Sequence, residues 1–145
     1  MKFRDRGVLV TGGGSGIGQQ VCYAAAAEGA RVAVGDLDHE RAEITVAEIR
    51  RQKGEAHAFR VDVTEPESVA GFTAGAESSL GRIDVLVNSA GIREIVSVLD
   101  LSFEEWQRVI DVNLSGTFLT SQAFARRLVQ QGRRDRSSIL PPRWD

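Results

Sequence analysis

A charged amino-terminal stretch gives way to an apolar run, Val8 to Val10, which ends in Thr11-Gly12-Gly13-Gly14-Ser15-Gly16-Ile17-Gly18. So short an apolar run closed by glycines predicts a buried strand feeding a turn. Helix-forming residues follow from Gln19 to Glu28, with Gly29 as a C-terminal stop. The alternation then repeats. Arg31 to Gly35 predicts a second strand ending at Asp36, and Asp38 is placed to cap a helix from about His39 to Lys53, closed by Gly54. Ala56 to Val63 predicts a third strand running into Asp62, and Pro66 opens a helix reaching Leu80 and Gly81. Ile83 to Val87 predicts a fourth strand, ending in Asn88-Ser89-Ala90-Gly91. Strands and helices in strict alternation predict an α/β fold, a parallel sheet with helices on both faces.

Ser102, with Glu105 three residues on, carries the capping-box signature of a further helix. That helix is expected to be long, from about Phe103 to Gln131, with Asn113 and Gly116 interrupting its middle. Beyond it, Gly132 to Asp145 reads GRRDRSSILPPRWD and has no periodicity of either kind. The expected organisation is one domain, residues 1–132, followed by an irregular tail, 133–145.

Composition changes this picture little. The 145 residues suffice for one core, and the hydrophobic and charged shares, 42% and 26%, are those of an ordinary soluble protein. A net charge of −2 favours neither nucleic acid nor an anionic membrane as partner. The charged start is not the shape of a secretory signal, and no apolar stretch approaches the roughly 20 residues of a membrane span, so a cytoplasmic protein is expected. Cys22, the only cysteine, lies in an apolar and alanine-rich setting and reads as a packing residue. No metal site is read.

The glycine stretch is where chemistry enters. A strand-to-helix turn brings several backbone N–H groups and the positive end of a helix dipole to one point, where a diphosphate can sit. Glycines there let the phosphates approach and permit the backbone angles. Gly12, Gly16 and Gly18 stand in that context, and Asp36 follows 18 residues after Gly18 at the end of the second strand. An acid at about this spacing accepts hydrogen bonds from the adenosine ribose and repels a 2′-phosphate. With no Lys or Arg from Thr11 to Gly18 or from Gly35 to Asp38, the expected cofactor is NAD.

The spacing Thr11-Gly12-x-x-x-Gly16-Ile17-Gly18 resembles the glycine motif of the short-chain dehydrogenase/reductase family. Asp62-Val63 after the third strand, Asn88-Ser89-Ala90-Gly91 after the fourth, and Asn113 in Asp111-Val112-Asn113-Leu114-Ser115-Gly116 agree in order. The resemblance runs from Gly7 to about Gly132. It implies a Rossmann-type doubly wound parallel sheet, truncated after the long fifth helix. It also implies roles: Gly12, Ser15, Gly16, Ile17 and Gly18 as the diphosphate cradle, Asp36 as the ribose contact, and Asp62 and Val63 near the adenine. Asn88, Ala90 and Gly91 would steady the central strand and line the way to the nicotinamide ribose. Asn113 resembles the family's helix asparagine, which keeps a kink and holds a water in the proton relay. Position 89 is Ser where the family usually has Asn or another small residue, a mild departure.

The family moves hydride between nicotinamide and an alcohol or ketone carbon, using a tyrosine acid/base, a lysine and a serine. Here the only tyrosine is Tyr23, the only lysines are Lys2 and Lys53, and no Tyr-x-x-x-Lys occurs. Missing a placed acid/base costs typically 10²–10⁴-fold in rate. Codons for Arg134 to Asp145 can be chosen that, read one base earlier, spell Ala-Gly-Ser-Ile-Val-Asn-Ile-Ala-Ser-Glu-Val-Gly, which resembles the family's fifth strand and catalytic serine. A frameshift, or an error in the gene's sequence, is therefore expected to account for the tail, with natural truncation as the alternative. The chain alone is expected to be inactive, with the fourth strand an exposed sheet edge that favours aggregation. Its alternative roles are an NAD-binding module or a non-functional fragment. The resemblance implies a small-molecule alcohol or ketone substrate, and family members form homo-oligomers, an expectation left open for a chain with only one of the two pairing helices.

Overall fold

Gly7–Thr11 forms β1, and all five of its residues are buried. Val8, Leu9 and Val10 are apolar toward both faces, as a strand sandwiched between two helical layers requires. The computed structural model describes residues 1–131, and the tail, with its proposed frameshift, lies outside them. Around β1 stand β2 (Arg31–Asp36), β3 (Glu55–Arg60) and β4 (Val85–Asn88), in the order β3-β2-β1-β4. All pairings are parallel, with Thr11 level with Gly35 on one side and Asn88 on the other. The carboxyl ends of β1, β2 and β4 therefore finish side by side.

Helices α1 (Gly16–Ala27) and α2 (His39–Arg51) cover one face. There Cys22, Ala25, Ala42, Val46 and Ile49 pack on Val8, Val10, Val32 and Val34. Helix α3 (Pro66–Leu80) and α5 (Gly116–Gln130) cover the other, where Val69, Phe72, Ala76, Leu80 and Phe124 pack on Leu9 and Ala33. Each fully buried Val, Leu or Ile contributes about 1.5–3 kcal/mol of hydrophobic stabilisation. The parallel sheet with helices on both faces expected from the alternation, and the Rossmann-type winding implied by the family resemblance, are thus what the chain forms.

Caps follow the sequence closely. Asp38 accepts from the amides of Glu40 and Arg41, Pro66 opens α3, and Gly81 ends it at φ 71°. Ser102 and Glu105 form the reciprocal capping box of α4 (Phe103–Ile110). Four boundaries differ. Helix α1 starts at Gly16 rather than Gln19, so two motif glycines lie in its first turn. Helix α2 ends at Arg51 rather than Lys53, and Lys53 itself, at φ 64°, makes the left-handed turn out of it ahead of Gly54. Strand β3 stops at Arg60, because Asp62 Oδ1 accepts from both the amide and the hydroxyl of Thr64 and turns the chain. Strand β4 starts at Val85, since the Asp84 carboxylate is turned to the Gly7 amide and to Arg82.

The long helix forms as expected, continuous from α4 (Phe103–Ile110) into α5 (Gly116–Gln130), and its middle is a π-helical turn, Asp111–Ser115, that contains Asn113 and ends at Gly116. The expected interruption therefore falls at the two residues named for it. Among the described residues β4 has one neighbour, β1, and Val85, Leu86 and Val87 are only half-buried.

Candidate functional site

The turn from β1 into α1 is held from three sides. The Gly14 amide donates to Asp36 Oδ2 at 2.9 Å, which joins the turn to the end of β2. The fully buried Thr45 hydroxyl, on α2, donates to the Gly13 carbonyl at 3.0 Å and accepts from Gln19 Nε2. From the third side, Thr11 Oγ1 accepts from the amides of Ser89 and Ala90, each at 3.3 Å. A rigid amide-lined turn results, fixed to both neighbouring strands before any ligand arrives.

At the head of α1, Ser15 occupies the N-cap position but its side chain makes no capping hydrogen bond. The first N–H groups of a helix have no intrahelical partner, so this end offers donors and positive potential to an anion. Gly16 has φ +54°, and a methyl group built on it would meet nothing within 4 Å, which leaves the approach to those donors open. Gly12, at φ +67°, would place such a methyl 2.8 Å from the Ala90 backbone. Its glycine identity lets the ends of β1 and β4 lie together.

These elements border a cleft of about 450 Å³ at the carboxyl edge of the sheet. Volumes of roughly 300–1,000 Å³ are usual for small-molecule sites. Gly12, Ser15, Gly16 and Ile17 line it from the glycine turn, Asp36 from β2, Asp62 and Val63 from beyond β3, and Ala90 and Gly91 from beyond β4. Nine of the residues singled out in the sequence thus share one wall-to-wall opening, although they come from four segments of the chain. Leu37 and Ile17 stand exposed at its rim.

Three others stand outside it. Gly18 is a packing residue, because a methyl on it would lie 2.2 Å from the Gly12 carbonyl oxygen. Asn88 Nδ2 donates to Ser121 Oγ at 3.1 Å and its Oδ1 accepts from Thr120, tying the end of β4 to α5. Asn113 grips the backbone of Ile92: its Oδ1 accepts from the Ile92 amide at 2.8 Å and its Nδ2 donates to the Ile92 carbonyl at 2.9 Å. That engagement fixes the segment after β4 against the π-helical turn.

Sequence reasoning missed Thr45, Thr11 as a clamp, and Arg41, which also lines the cleft. Thr45 did leave a signal: it falls among Ala42, Val46 and Ile49 on the buried stripe of α2, where a polar residue needs a partner. Among the described residues no group of three His, Cys, Asp or Glu side chains is placed to hold a metal ion. None of the described helices is long and apolar enough to cross a membrane.

A parallel sheet with a glycine turn, a helix amino terminus and a strand-end acid converging on its carboxyl edge is the Rossmann-type arrangement found in dinucleotide-binding folds. The chain belongs to the short chain dehydrogenase family, whose profile matches residues 6–139. It is 40% identical over 124 residues to D-threitol dehydrogenase of Mycolicibacterium smegmatis, covering 86% of this chain and 48% of that protein. It is 41% identical over 122 residues to cyclopentanol dehydrogenase of Comamonas, covering 84% and 49%. The crystal structure of a short-chain type dehydrogenase/reductase from Mycobacterium marinum superposes with a TM-score of 0.87 at 40% identity, over 90% of this chain and 53% of the other. The chain spans about half the length of the relatives it matches. Dehydrogenases of this family use nicotinamide cofactors, NAD or NADP.

Proposed function

We propose that these residues are the NAD-binding half of a dehydrogenase that interconverts a small alcohol and its ketone. Asp36 carries this reading. Its carboxylate lies at the cleft, already oriented by the Gly14 amide on Oδ2 and the Asp38 amide on Oδ1. Each oxygen retains a lone pair for a ribose hydroxyl, whereas a 2′-phosphate at that place would meet a like charge. The amides at the head of α1 hold the diphosphate, and Asp62 and Val63 flank the adenine. Gly91, beside the Asn113-pinned Ile92, borders the nicotinamide end. Bound NAD supplies the hydride acceptor.

The alcohols named for the threitol and cyclopentanol enzymes support a small, uncharged alcohol as substrate, and a cytoplasmic setting suits such chemistry. The acid/base is a different matter. Tyr23 lies in α1, packed against the sheet on the face opposite α3 and α5, and Lys2 and Lys53 are exposed. On their own, these 145 residues bind the cofactor without turning it over, and Asn113 contributes by positioning the cleft wall.

Titration of the purified chain with NADH tests the reading. Saturable enhancement of NADH fluorescence, reversed by ADP-ribose, is the expected result. A second reading, a fragment that binds nothing, draws on the half-buried β4, and absence of any saturable signal would decide for it.

A further inference from the structure

Arg41 was not singled out in the sequence, yet it stands beside the one acid that the cofactor reading depends on. A methyl built on Gly14 would lie 2.7 Å from Arg41 Cβ and 2.8 Å from Asp36 Oδ2, so the glycine turn, the acid and the arginine meet at one spot. Arg41 belongs to the first turn of α2 and lines the cleft. Its Nε is 3.2 Å from Asp38 Oδ2 in an exposed ion pair. Its two Nη groups have no hydrogen-bond partner among the described residues. A guanidinium always carries its charge and offers a planar, two-pronged donor that suits phosphate.

We infer that Arg41 is a specificity-determining residue: it is the cation that limits how strongly this cleft rejects a phosphate on the adenosine ribose, and Asp38 holds it in reserve. The inference rests on the NAD reading above. Asp36 alone would exclude a 2′-phosphate by repulsion, but Arg41 is within the same wall and its tether is weak. Exposed ion pairs of this kind contribute little stability, so a phosphate dianion competes readily for the guanidinium. Asp38 has a second duty that hides the first, since its other oxygen, Oδ1, caps α2 through the amides of Glu40 and Arg41. Asn is as good a cap as Asp. Asp38→Asn therefore removes the tether's charge and keeps the helix.

The test measures dissociation constants for NADH and NADPH on the 145-residue chain, as wild type, Arg41→Ala, Arg41→Lys and Asp38→Asn, and again in an Asp36→Ser background that lacks the repelling carboxylate. Loss of a charge-assisted contact is worth about tenfold or more in affinity. The expected result is that Arg41→Ala weakens NADPH about tenfold more than it weakens NADH, that Arg41→Lys recovers part of the difference, and that Asp38→Asn strengthens NADPH alone. Equal weakening of both dinucleotides by Arg41→Ala, or no effect on either, overturns the inference and leaves NAD binding intact. Failure of the wild type to bind NADH removes the cofactor reading itself, and the inference with it. Should Asp36→Ser unfold, the wild-type and Asp38→Asn arms still decide the question through the ratio of the two constants.

Discussion

Gly18 and Gly12 lie back to back: a methyl on Gly18 would sit 2.2 Å from the Gly12 carbonyl oxygen and 3.0 Å from Ser89 Oγ. Gly16, two residues earlier on the same turn, faces open space instead. The two glycines of one motif thus differ in their surroundings, one closely packed against backbone and one open to the cleft.

Gly18→Ala should accordingly lower stability, by about 1–3 kcal/mol for an overpacked core position. Gly16→Ala should lower it only by the left-handed backbone cost, about 1 kcal/mol, while setting a methyl in the cleft. Urea unfolding together with NADH titration separates them. The expected pattern is a folded Gly16→Ala chain with weakened NADH binding and a destabilised Gly18→Ala chain. Equal loss of stability in both would refute the division.

Asn113 makes a prediction about motion. Its side-chain amide satisfies both backbone groups of Ile92, at the start of the segment that runs to α4. A second tie, the ion pair of Arg108 with Glu94, closes the same segment two residues later. Asn113→Ala should remove the first tie and leave the second. Amide hydrogen exchange at Ile92 should accelerate by about tenfold, as for loss of one net hydrogen bond, while exchange in β1 stays unchanged. Unaltered protection at Ile92 would show that the π-helical turn holds the segment by other means.

The legible part of this molecule is the part written in local pattern. Val8 to Val10, the Asp38 cap and the Ser102–Glu105 box each state their structure within a few residues, and these formed as read. Strand ends were less legible, because what stops β3 is a side chain, Asp62, bonding to Thr64 beyond it. The cleft was half legible. Gly12 and Asp36 follow from spacing, whereas Thr45 and Arg41 reach the turn only because α2 lies against α1, a tertiary fact with no motif. The interruption of the long helix was visible at Asn113 and Gly116, but not its π-helical form, which depends on the register of backbone bonds.

Cys22 can report on opening of the α1–α2 layer. Its thiol is fully buried among Val8, Val10 and Ala25, and burial pushes its pKa up to about 12 despite a partly offsetting backbone hydrogen bond. A protonated, inaccessible thiol is a poor nucleophile. In native buffer at pH 8 it should resist thiol-reactive reagents, and in denaturant it should react at the rate of a free cysteine. Saturating NADH should slow any residual native labelling, since a ligand bound to the folded state suppresses opening. Prompt native labelling would contradict the packing described for α1.

Asp84 supplies a pH dependence. Its side chain is 5% exposed, and it accepts from the Gly7 amide at 2.9 Å and pairs with Arg82 and Arg6. Burial by itself raises its pKa, but the Arg82 hydrogen bond, the Gly7 amide and the arginine charge together outweigh burial and bring the value down to about 2. In the unfolded chain the group titrates near its ordinary value, roughly 3.9. A depressed native pKa means that the unfolded state binds the proton more tightly, so stability falls as the carboxylate is protonated. The contribution is complete above about pH 5, declines through the interval between the two values, and is gone below about pH 2. Both arginines are partly exposed, so its size is discounted for solvent screening to about 1–2 kcal/mol. Urea unfolding of wild type and Asp84→Asn at pH 7 and pH 3 measures it. The two chains should differ by that amount at pH 7 and by less at pH 3, whereas a difference independent of pH would assign the role of Asp84 to its shape and hydrogen bonds rather than to its charge.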